Sequence, residues 1–291
     1  VKARLDVERE VGVRTLRVSL LHEVQAMNPE QRPLGPGGSL NALLFGRDDG
    51  QYFSVTGAEM TLLPHAGARP DRELRLYAER HRALDLETRF ALGSWLQGDA
   101  AFRANARAAA ADEVGLAFLW RAGAGRAELG RYTSVEVQGR AGSVRSRDLA
   151  GPEGAMGRLA VTARTAQAFS ERWQFGAEAA VGQGWGALTP QREWYLGGVR
   201  TVRGYAGGIR SGRSMVRGRV EVARGFEAAR WALFSDLGWA GDDFDARFDE
   251  TLWSVGVGAS LLEGLVRLDL ARGLRGPGAG WRLDLHLDGL L

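Results

Sequence analysis

Cysteine is absent from all 291 residues, which excludes disulfide frameworks, thiolate nucleophiles and cysteine-ligated zinc. Lysine is nearly absent: Lys2 is the single one, so almost all positive charge is arginine. No apolar run approaches the ~20 residues of a spanning helix, which excludes a helical membrane protein. Histidines are few and scattered. His22, His65, His81 and His286 have no second ligand at metal spacing, so no metal or other cofactor is expected. No Gly-x-Ser-x-Gly elbow occurs, and the chain is not expected to be an enzyme. A net charge of +3 is too slight to argue for nucleic acid. Val1 opens directly in patterned sequence with no signal peptide, which reads as a processed or trimmed start.

What is present is glycine, 41 residues of it, and a strict period of two. Trp281, Leu283, Leu285 and Leu287 alternate with Arg282, Asp284, His286 and Asp288. Trp253, Val255, Val257, Ala259 and Leu261 are separated by Ser254, Gly256, Gly258 and Ser260. Val216, Val220 and Val222 alternate with Arg217, Arg219 and Glu221, and Val1, Ala3, Leu5 and Val7 with Lys2, Arg4, Asp6 and Glu8. Such alternation puts every apolar side chain on one face of a strand.

One strand of this kind fits a soluble sandwich or a membrane barrel equally. Three features of the whole chain favour the barrel: strands of about ten residues, full charges of both signs on the polar face, and glycine and alanine spread through the strands. The expected fold class is all-β: a transmembrane antiparallel β-barrel filling residues 1–291 as one domain. The segments number sixteen: 1–10, 12–22, 39–46, 51–62, 71–80, 88–97, 100–110, 113–121, 131–141, 156–168, 171–184, 214–225, 229–240, 250–261, 264–272 and 280–288. Over 100–110 an alanine-rich helix competes, but Phe102, Ala104, Ala106 and Ala108 alternate with Arg103, Asn105 and Arg107. Met27–Gly38 reads as a Pro/Gly loop. Gly184–Gly212 is the longest connection, and its aromatics and glycines argue that it is ordered and functional.

That connection contains Leu196-Gly197-Gly198 followed by Val202-Arg203-Gly204-Tyr205, and Phe234-Ser235-Asp236-Leu237-Gly238 stands two strands later. The pair resembles the two signatures of the BamA/TamA and two-partner-secretion transporter superfamily, with five strands after the loop and about eleven before it. The end of the chain resembles that superfamily's outer-membrane assembly signal, except that it closes on Leu291 rather than an aromatic. The resemblance implies that the loop folds back into the lumen and that Arg203 reaches Asp236. Asp236 is opposite in phase to Trp231, Leu233 and Leu237 and so points inward, and Glu221 on the neighbouring strand can share the guanidinium. Gly204 would permit a tight turn, and Tyr205 would pack against the wall. The plainer alternative is that these residues only brace the barrel.

The resemblance implies a bacterial outer-membrane protein that inserts or translocates other proteins, opening laterally between its first strand (Lys2–Glu10) and its last (Trp281–Leu287). The implied partners are outer-membrane lipid, unfolded client strands or a secreted partner, with periplasmic assembly proteins as a further candidate. Relatives generally carry periplasmic POTRA modules, for which residues 1–291 have no room. Two other readings stay open: a passive pore or structural barrel of an envelope complex, and the membrane anchor of an upstream passenger. Arg103, Arg107, Arg121, Arg158, Arg164, Arg217 and Arg219 share the lumen phase and could guide charged cargo. A wall balanced by Glu136, Glu178 and Glu221 is the simpler reading. Asp242, Asp243, Asp245 and Asp249 lack the spacing of an EF-hand and read as a solvated hairpin.

Overall fold

Residues that alternate in sequence form strands with one apolar and one charged face. The structure, a computed structural model, describes residues 3–31, 48–64, 71–85, 105–126, 131–225, 229–244, 250–261 and 266–287. These hold no α-helix. The strands before the long loop are β1 (Ala3–Val11), β2 (Arg14–Ala26), β3 (Tyr52–Pro64), β4 (Asp71–Ala83), β5 (Ala111–Arg126), β6 (Arg131–Ser146), β7 (Gly154–Ala168) and β8 (Trp173–Gly186). Inside the loop lie β9 (Trp194–Leu196) and β10 (Arg210–Gly212). After it come β11 (Ser214–Gly225), β12 (Ala229–Gly241), β13 (Leu252–Leu261), β14 (Val266–Arg275) and β15 (Trp281–Leu287). Thirteen of them form one antiparallel sheet in chain order, with β8 beside β11, while β9 and β10 pair separately.

The apolar face looks outward. Trp253, Val255 and Val257 are 38–44% exposed, and Leu5, Val7, Trp231, Leu233 and Trp281 are more exposed still. Such an uncovered apolar band is the outer surface that a transmembrane barrel presents. The opposite face carries charges paired from strand to strand. Arg121 Nε donates to Glu136 Oε2 at 2.7 Å, Arg164 Nε to Glu178 Oε2 at 2.7 Å, and Arg217 lies 2.9 Å from Glu178. These pairs are the balanced wall, not a free basic patch.

Thirteen of the sixteen expected strands are in the sheet among the described residues. Segments 39–46 and 88–97 lie outside the described residues, as do His65, Arg103, Asp245 and Asp249. The remaining segment is a correction: the described part of 100–110, residues 105–110, is not strand. Its polar groups are taken up by side chains and by the loop instead of a ladder. Asn105 Nδ2 donates to the Tyr52 and Leu84 carbonyls at 2.8 and 2.9 Å, and its Oδ1 accepts from the Tyr52 N–H at 2.7 Å. Ala108 is buried beside Phe53 and Tyr195, so its alternation with Arg107 serves packing against the loop rather than a place in the wall.

The described residues show the geometry of the two strands expected to form the seam. β1 and β15 are the two edges of the sheet, and no ladder joins them among the described residues. Strand direction alternates from β8, which runs toward the end carrying the loop, so β1 runs away from that end. Counting from β11, β15 also runs away from it. The two edges are therefore parallel, the necessary result of an odd number of alternating strands, and an antiparallel ladder directly between them is impossible.

Candidate functional site

The connection between β8 and β11 folds into the space enclosed by the charged face. Trp194, Leu196, Val202 and Tyr205 are buried there with Met215, Ala240 and Leu252 of the wall. Two φ-positive glycines, Gly197 and Gly198, turn the chain after β9, and the Gly198 N–H donates to the Tyr205 carbonyl at 2.9 Å. Gln31, in the 3-10 turn Pro29–Gln31, braces the bend by donating to the Gly197 carbonyl at 2.6 Å and to Thr201 Oγ1 at 3.1 Å.

All eight residues singled out from the sequence meet at the loop tip. Arg203 is 3% exposed and Asp236 is fully buried. The guanidinium grips the carboxylate with two parallel bonds, Nε to Oδ2 and Nη2 to Oδ1, both 2.7 Å, and the Arg203 backbone N–H adds a third at 3.0 Å. Nη1 donates to Glu221 Oε2 at 2.9 Å. The guanidinium also stacks over the Phe234 ring, 3.5 Å from its centroid. Phe234, Asp236 and Gly238 lie on one strand face at a spacing of two, and each has its task. Phe234 supplies the ring, Asp236 supplies the charge, and Gly238 supplies the space. A Cβ built on Gly238 would lie 2.6 Å from Val202 Cγ2 and 3.1 Å from Leu196 Cδ1.

The next two residues complete the latch. Gly204 sits at φ +83°, where a side chain is strained, and an added Cβ would crowd Ala271 and Gly273 of β14. The Tyr205 hydroxyl fits into the bulge where the β13–β14 register shifts at Trp253/Ser254. It donates to the Trp253 carbonyl at 2.6 Å, with the Arg275 carbonyl also in reach, and accepts the Trp253 and Arg275 N–H groups at 3.2 Å. The loop thereby satisfies ladder groups that the bulge leaves open.

Around the tip the charges balance. Arg267 Nη2 donates to Glu221 Oε2 at 2.7 Å and its Nε to Asp269 Oδ1 at 2.8 Å, while Arg219 lies 3.6 Å from Asp236. Three guanidiniums thus face three carboxylates. Burial alone would lower the Arg203 pKa, but the hydrogen bonds and charges of Asp236, with Asp269 and Glu221, raise it above the ordinary arginine value. The residue stays charged at any working pH. Arg219 also donates to the loop carbonyls of Arg200 and Val199 at 3.0 and 3.2 Å.

Two further groups of contacts were not evident in the sequence. Arg192, in the first part of the loop, lies against Glu79 of β4 and Glu113 of β5 at 2.6 and 2.9 Å. The period-two phase marks Tyr77, Glu79 and His81 as one face, but nothing local names a partner more than a hundred residues away. The second group centres on Asp49. Its Oδ2 accepts from Arg282 Nη2 of β15 at 2.6 Å, and its Oδ1 accepts the Gly207 N–H at 2.9 Å. One carboxylate therefore ties the last strand to the loop and to the segment before β3. Asp49→Asn is expected to cost about 1–2 kcal/mol, between an exposed and a buried ion pair. The denaturant midpoint of barrel unfolding measures it, and an unchanged midpoint would rule it out.

No family model and no curated protein matches the chain. Among solved structures it is similar to BamA from Haemophilus ducreyi lacking POTRA domains 1–3, with a TM-score of 0.65 at 12% identity over 98% of this chain and 61% of that one. It is also similar to CdiB from Acinetobacter baumannii, with a TM-score of 0.58 at 14% identity over 98% of this chain and 49% of that one. The chain thus spans less than two thirds of either protein's length. At such identities the likeness shows the fold, an antiparallel β-barrel.

Proposed function

We propose that this chain is the barrel of a bacterial outer-membrane protein that inserts or translocates other proteins, and that the loop between β8 and β11 is a plug displaced during that work. The observation that carries the proposal is the Arg203 latch. A loop held by a fully buried bidentate pair, an aromatic stack and a tyrosine in a bulge is a defined, docked element. The fold likeness to BamA and CdiB supports the same reading. Lipid is the partner of the apolar outer band.

The work requires no catalytic group, and the reading assigns none. A client strand would pair at an edge of the sheet, since the backbone of an edge strand templates another strand. β1 is the better candidate, since it is exposed along its length.

The chain's lack of cysteine makes a clean test available. Val202→Cys together with Gly238→Cys places two thiols where the loop tip meets β12. In the oxidised protein, insertion of a urea-unfolded small barrel client into liposomes should fall to background, and a reductant should restore it. Normal insertion by the fully oxidised protein would overturn the plug's role in the activity.

A further inference from the structure

The latch at Arg203 accounts for one end of the loop. The other end carries a guanidinium that the latch does not use. Arg192 is 6% exposed, and the carboxylate side chains of Glu79 and Glu113 are completely buried. Its Nη2 donates to Glu79 Oε2 at 2.6 Å and its Nε to Glu113 Oε2 at 2.9 Å, so one planar fork bridges two adjacent strands. Arg140 pairs with the same two carboxylates, and the Tyr77 hydroxyl donates to Glu113 at 2.7 Å. Behind Arg192, Arg158 of β7 donates to its carbonyl at 2.8 Å and stacks on Trp194, 3.7 Å from that ring. Before it, the Gln191 amide exchanges two bonds with the Ala109 backbone at 3.0 and 3.1 Å. Burial alone would lower the Arg192 pKa, but Glu113 and Glu79 raise it.

This anchorage stands apart from the Arg203 network. It rests on β4 and β5, whereas Arg203 rests on β11 and β12, and β6, β7 and β8 lie between them in the sheet. The two networks share no residue. Between them the chain is stiffened by the β9–β10 pair and by Tyr195, whose hydroxyl donates to the Pro190 carbonyl at 2.8 Å. Besides the Asp49 tie near Gly207, the loop is thus held by buried guanidiniums at two distant sectors of the wall with an ordered span between.

We propose that Arg192 is a second positioning residue of the plug, so that the loop is a strap fastened at two walls and must be released at both to clear the lumen. The inference rests on the reading of this loop as a plug. It adds that Arg203 alone does not control the opening. A client that pulled only on the latch would free the tip and leave the strap across the lumen.

Conductance in planar lipid bilayers tests this without any client, so its failure is distinguishable from failure of the insertion assay. Arg203→Ala and Arg192→Gln singly should each raise conductance by less than about twofold, and the double variant should exceed the sum of their effects by at least about fivefold, the mark of coupled release. Heat-modifiable migration on electrophoresis confirms that each variant is a folded barrel. Where Arg192→Gln does not fold, Arg192→Lys replaces it, since lysine keeps the charge but cannot bridge two carboxylates as a fork. Either single variant conducting as well as the double would overturn the proposal. So would a folded double variant that conducts like the unaltered protein.

Discussion

Replacing Arg203 with alanine is expected to cost the folded barrel about 3–5 kcal/mol, because it strands a buried carboxylate whose partner is removed. Asp236 has no exposure and accepts three bonds from Arg203, two of them from the guanidinium that would vanish. Arg219, at 3.6 Å, is too far to replace a bidentate grip and is committed to two loop carbonyls. Glu221 is better placed, since Arg267 also binds it. The loss should therefore fall on Asp236 and the loop tip. The urea midpoint at which heat-modifiable migration is lost should drop, and Arg203→Lys should recover part of it. An unchanged midpoint for Arg203→Ala would show that the pair contributes nothing net, as some buried pairs do against apolar replacements.

The second large effect is steric. Gly238→Leu puts a side chain where Val202 and Leu196 already sit, with the first added carbon 2.6 Å from Val202 Cγ2. Overpacking of this kind costs about 1–3 kcal/mol when neighbours can shift, and more when they cannot. The wall strand is fixed by ladders to β11 and β13, so the loop should yield. The expected product is an intact barrel whose loop tip is cut by protease at a rate the unaltered protein never shows. Gly218→Ala on the neighbouring strand is the control. No atom lies within 4 Å of a Cβ built there, so its stability should stay within about 0.5 kcal/mol. Equal protease resistance of Gly238→Leu and the unaltered protein would mean that Gly238 is not what admits the loop.

Legibility differed between the site's two ends. The Arg203 end could be expected because its two short motifs resemble those of a known superfamily, which implied the pairing, while strand alternation added that Phe234 and Asp236 point the same way. Glu221 followed from the same phase on the adjacent strand. The Arg192 end offered no such pattern. Glu79, Glu113 and Arg140 are inward by phase, but so are many other charges, and only the path of the folded loop selects which of them receives Arg192. The alternation over 102–108 misled for a related reason. Small residues against polar ones are equally suited to a strand face and to an extended segment packed on a loop. The hydrogen-bond partners, Asn105 to Tyr52 and Ala109 to Gln191, decide between the two.

The amino-acid order by itself determined which residues of a strand share a face, because side chains alternate strictly along it, although Arg72, Arg80, Arg82 and Arg272 share the outward face with leucines. It likewise determined that the chain has no thiol chemistry, whereas the latch role of Arg203 was an implication of the resemblance. Tertiary structure alone decided, among the described residues, how many strands join the sheet, and with it the parallel run of β1 and β15. It alone decided that a second arginine fastens the loop and that Asp49 ties β15 to it. These are contacts between residues far apart in the chain. Their partners are chosen by how the sheet curves around the loop, and no local period records that curvature.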